Sequence, residues 1–126
     1  MKYFWIPAAL LMLLLGASLG NARLVETEVG PWCEAIGSAL DSAERGDWDV
    51  ALGGVRDTRD KWDARKPYLH IVTAHDELDR VDILFATAEG FAREEDMAEF
   101  RAEASELIVQ LDIIVELQKL TLRNAL

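Results

Sequence analysis

Cysteine occurs once in these 126 residues, histidine twice and proline three times. A single cysteine, Cys33, excludes an internal disulfide, so the fold cannot be stapled. The two histidines, His70 and His75, lie close together. They cannot supply the Glu-x-x-His motifs on two separate helices that a di-iron bundle requires. No serine, threonine or cysteine stands in a recognisable nucleophile setting. The only paired glycines, Gly53-Gly54, fall inside a helical pattern and not in a phosphate-cradling loop. These absences point to a protein that is not an enzyme and holds no cofactor.

What is present is a chain that is 51% hydrophobic and 29% charged, with the charges interspersed among apolar residues. That pattern excludes disorder. Its length allows one small domain. All 23 acidic residues follow Leu24, whereas Lys2 and Arg23 of the 13 basic residues precede it, leaving 11 against 23 and a formal charge of −12 beyond that point. Such a field repels phosphate polymers, so nucleic acid is not an expected partner. The acidity serves solvation or, alternatively, meets a basic partner or divalent cations at the envelope surface.

Residues 1–23 form a membrane anchor or signal peptide, and residues 24–126 the extracytoplasmic domain. No charge occurs from Tyr3 to Ala22. The run is close to the roughly 17–25 residues of a spanning helix, yet its strongest part is short enough for a signal peptide. Cleavage near Ala22 and retention as a single-pass anchor are both compatible with it. Lys2 keeps the N-terminus in the cytoplasm, which puts the acidic domain outside.

The body reads as all-α. It is expected to be two antiparallel hairpins forming a four-helix bundle, organised around the stretch from Asp47 to Arg80. Gly30-Pro31 predicts a first helix starting near Pro31, with 24–30 as a linker or kinked extension, and Gly46 ends it. Asp47 caps the second helix, which Lys66-Pro67 closes. Ile71, Ala74, Leu78, Val81, Phe85, Ala88 and Ala92 mark a third helix, ending at Arg93-Glu94-Glu95. Asp96 and Glu99 form a capping box, so the fourth starts near Met97 and stops at Asn124. Asp96-Met97 can be laid on Asp47-Trp48, which relates the two hairpins.

The N-terminal apolar segment, Asp47-Trp48, Lys61-Trp62, His75-Asp76-Glu77-Leu78-Asp79 and the closing Leu120-Thr121-Leu122-Arg123-Asn124 together resemble the bacterial domain-of-unknown-function family DUF4363. The resemblance implies a small protein with an N-terminal membrane segment and a helical body, and no assigned activity. Gly53-Gly54 and the small residues from Gly16 to Gly20 depart from that pattern.

Two sites compete. His75 and Asp79 are one helical turn apart with Asp82 on the same side, a donor set suited to a divalent metal. The other reading is a half-buried polar and aromatic cluster of Trp48, Trp62, His75, Asp76 and Asp79. In it, His75 bonds Asp79 or Asp76 and the cluster reaches the Lys66-Pro67 turn or Trp62. His70 is expected as an exposed cap of helix three. Cys33 is expected as a core hydrophobe beside Trp32, or as a bridge between two copies. Trp32, Trp48 and Trp62 pack the core or line a peptide groove between hairpins. The expected function is a membrane-associated protein–protein interaction or structural module with an unknown protein partner. The alternative is a divalent-metal binder using His75, Asp79 and Asp82.

Overall fold

The computed structural model describes residues 2–125, in which four α-helices and no strand occur: α1 (Lys2–Glu44), α2 (Trp48–Val72), α3 (His75–Arg93) and α4 (Met97–Ala125). Each helix packs on its neighbours in the chain, and α1 also packs on α4, closing a bundle. Across α1 and α4, Asn21 meets Gln118, Cys33 meets Ile108 and Glu44 meets Arg101, so residue numbers rise on one helix as they fall on the other. The same order holds across α2 and α3, where Arg59 pairs with Glu89 and Lys66 with Asp82.

Of the apolar stripe named from the sequence, Leu78, Val81, Phe85, Ala88 and Ala92 lie in the interior, whereas Ala74 is exposed. Trp62, Phe85, Phe100, Ile36, Leu107 and Leu111 are fully enclosed. α1 does not begin at Pro31. It is one helix of 43 residues with Pro7 and Pro31 inside it. An internal proline costs about 3 kcal/mol or more. Here Val25 and Val29, before Pro31, and Trp32 and Ile36, after it, all lie on one buried stripe. A break at Gly30 would throw half of that stripe out of register. The pyrrolidine itself faces outward, where solvent serves the carbonyl that it leaves without a partner.

The Lys66-Pro67 stop is overturned in the same way. α2 continues to Val72 because Leu69, beyond the proline, is fully buried, and Pro67 is on the exposed side. The Thr73 N–H ends the helix by donating to the Leu69 carbonyl at 2.8 Å. Ile71 therefore belongs to the end of α2 and not to the stripe of α3, and it is 82% exposed.

The other two turns follow the sequence, except that the Asp96 N–H donates to the Phe91 carbonyl and not to Glu99, so the capping box is half made. Asp47 accepts from the Val50 N–H, and Asp96 from the Glu99 N–H. Before each aspartate one residue takes a positive φ, Gly46 at 81° and Glu95 at 55°.

The first part of α1, from Tyr3 to Leu19, is largely exposed apolar surface. It makes α1 long and apolar enough to serve as a membrane span or a signal sequence. From Ala22 onward the same helix is built into the bundle.

Candidate functional site

The buried indole of Trp62 is the centre of the polar cluster. α2 places it between Trp32 of α1, edge-on at 6.2 Å between ring centroids, and Phe85 of α3 at 6.4 Å. A buried indole N–H needs an acceptor, and Asp82 supplies one, its Oδ1 lying 2.7 Å from Trp62 Nε1. Lys66 Nζ approaches the same carboxylate at 3.2 Å. One acidic side chain of α3 thus satisfies a buried ring and a lysine of α2, tying the two helices together.

Asp82, and not Asp76 or Asp79, reaches Trp62. Asp76 and Asp79 are exposed and stand outside this network. His75 does not turn to its own helix either. Its Nδ1 lies 2.9 Å from Nδ1 of His70, so one ring donates and the other accepts. Continuation of α2 past Pro67 puts His70 in the last turn of α2 and not at the head of α3. Trp48 lies apart from the cluster, near the opposite end of α2, edge-on to Phe100 of α4 at 5.6 Å.

His75, Asp79 and Asp82 are therefore not drawn together. Among the described residues no group of three or more His, Cys, Asp or Glu is placed to hold a metal ion. Asp82 is already committed to an indole and an ammonium group.

Cys33 is half-buried, with its thiol directed at the Ile108 carbonyl at 3.9 Å. Burial, then the Asp112 and Glu34 carboxylates, push its pKa up. Since the thiolate is the nucleophile, this environment disfavours the reactive form of the sulfur.

A second polar chain was hidden in the sequence. The Tyr68 hydroxyl donates to Asn21 Oδ1, Asn21 Nδ2 to Gln118 Oε1 at 2.7 Å, and Gln118 Nε2 to Thr73 Oγ1 at 2.8 Å. It joins α1, α2, α4 and the α2–α3 turn. Its signal was a polar residue at a seam position: Gln118 follows Leu111 and Ile114 by seven and four residues. Glu89 was missed likewise. It is buried on α3 and paired with Arg59 at 3.2 Å.

The model of the domain of unknown function DUF4363 matches residues 23–125. The chain belongs to this family. The match begins at Arg23, where charge first appears after the apolar run, so the DUF4363 region coincides with the part of α1 built into the bundle and the three helices after it. Comparison with curated proteins and with solved structures gave no match. DUF4363 membership thus gives the chain a family body whose function is unassigned.

Proposed function

We propose that the protein is a non-enzymatic module of two antiparallel helical hairpins, held at a membrane by the first part of α1 with its acidic body outside the cytoplasm, and working by protein contact. The observation that carries this reading is the continuity of α1. One rod passes from exposed apolar surface at Tyr3–Leu19 into the core at Ala22 and Val25 without a flexible joint. At about 1.5 Å per residue the rod is roughly 65 Å long. An anchor of that kind orients the body as well as tethering it.

The surroundings of Ala22 favour retention over cleavage. Ala22 is buried, and Asn21 bridges Tyr68 and Gln118. Cutting after Ala22 would sever a continuous helix and remove that bridge. The opposite residue order on adjacent helices supports the hairpin reading, and the acidic surface supports a basic partner face. The alternative, a divalent-metal binder through His75, Asp79 and Asp82, has lost Asp82 to Trp62 and Lys66.

Intact mass of the protein from alkaline-washed membranes, with protease accessibility in spheroplasts, tests the placement. A full-length mass and an externally digested body are expected, and a mass lacking residues 1–22 would overturn anchoring. Crosslinking in cells should return a discrete protein partner. Monomeric behaviour with no crosslinked partner would count against the contact role.

A further inference from the structure

We infer that the α2–α3 turn is a second membrane contact, seating Ile71 among phospholipids at the boundary of the bilayer beside α1. The inference rests on the anchoring reading and adds a lipid-facing surface to the body.

Three observations converge. First, the turn is not clear of the apolar segment. Tyr68 and Val72 share a crevice with Leu14, Ala17 and Ser18 of α1, and Leu122 of α4 shares another with Leu15 and Leu19. If lipid ended where this overlap begins, only the helix from Tyr3 to about Leu14 would remain to span. That is roughly 18 Å at 1.5 Å per residue, against about 30 Å of hydrocarbon. The bilayer must therefore climb α1 towards Ala22, and in doing so it rises to the height of the turn.

Second, the turn is built for that height. From Pro67 to His75 no Asp, Glu, Lys or Arg occurs, the longest such stretch after Arg23 in a chain that is 29% charged. Ile71 projects from it at 82% exposure.

Third, several polar side chains at this level are satisfied by one another, while Arg123 of α4, beside Leu122, stands exposed. Asn21, Tyr68, Thr73 and Gln118 form the chain described above, and His70 pairs with His75. Polar groups near hydrocarbon are tolerated when they are bonded internally.

The test uses the full chain in nanodiscs of phosphatidylglycerol and phosphatidylethanolamine. In a Cys33→Ala background, an environment-sensitive fluorophore is attached at Ile71→Cys and, separately, at Val50→Cys near the far end of α2. Acyl-brominated lipids serve as quencher. The expected result is blue-shifted emission at position 71 with severalfold stronger quenching than at position 50. Water-like, equally unquenched emission at both positions, with the chain still eluting with the discs, overturns the inference. A chain that does not elute with the discs overturns the anchoring reading, and this contact falls with it.

Discussion

The two ends of the bundle turn corners by different means. At the end remote from the apolar segment, α1–α2 and α3–α4 are joined by turns of one design: a residue at positive φ, then an aspartate whose carboxylate caps the next helix. At the other end the single α2–α3 turn has a proline inside the preceding helix, and Ala74 gives α3 no side-chain cap. The first end has local backbone chemistry at each turn, beside the contacts of Glu44 with Arg101 and Trp48 with Phe100 across helices. The second is held by side chains reaching between helices, through Asp82, His75 and Gln118. An end held locally forms wherever its few residues occur, whereas an end held by distant contacts forms only once the helices have met.

The largest break in that contrast is expected at Trp62. Trp62→Ala should cost about 3–5 kcal/mol in chemical denaturation, as for other large buried aromatics. Trp48→Ala, at a half-buried ring, should cost distinctly less. A similar loss at both positions would mean that the two ends are equally dependent on the core.

Asp82→Ala leaves the buried indole N–H without an acceptor and should cost about 1–3 kcal/mol. Asp79→Ala, at an exposed carboxylate, should be near neutral. Equal effects in urea melts would remove Asp82 from its position as the tie between α2 and α3.

Caps come next. Asp47→Ala and Asp96→Ala should each lose about 1 kcal/mol. Ala74→Ser should gain part of that amount, because it supplies α3 with the missing acceptor three residues before Glu77. Glu95→Gly should also stabilise, by about 1 kcal/mol at most, because a non-glycine residue at φ 55° is strained. Thermal melts of the four variants rank them, and a destabilising Glu95→Gly would show that this turn is held by more than its backbone.

The smallest effect concerns Cys33. Its raised pKa means that the unfolded thiol ionises first as pH rises, so the native state loses a little stability through the alkaline range and none below it. Alkylation near neutral pH should be severalfold slower in the folded protein than in urea. Equal rates would remove the protection assigned to burial against α4.

Much of the fold was legible in residues close together in the chain. Asp47 and Asp96 announce helix starts because a cap needs only the next three residues, and the stripe from Leu78 to Ala92 needs only a helical period. Pro31 and Pro67 misled for the complementary reason. Proline's cost is local, but the burial that outweighs it comes from other helices. With Pro67 read as a stop, Ile71 was assigned to the wrong helix and the contact between His70 and His75 could not be seen. The candidate cluster was half legible: Trp62 is named among its members, but the sequence pairs His75 with Asp79 or Asp76 and offers Asp82 only to a metal, whereas Asp82 is the acceptor of the indole.

Taken alone, the amino-acid order determined helicity, one apolar N-terminal run, an acidic body and the turns that aspartate caps define. Each of these follows from interactions within about one helical turn of the chain. Tertiary structure decided that α1 runs unbroken through Pro31, that Asp82 serves Trp62, and that the α2–α3 turn stands at the height of the apolar segment. Those outcomes depend on which faces are covered once the helices meet, and a buried stripe acquires its worth only from the surface that covers it.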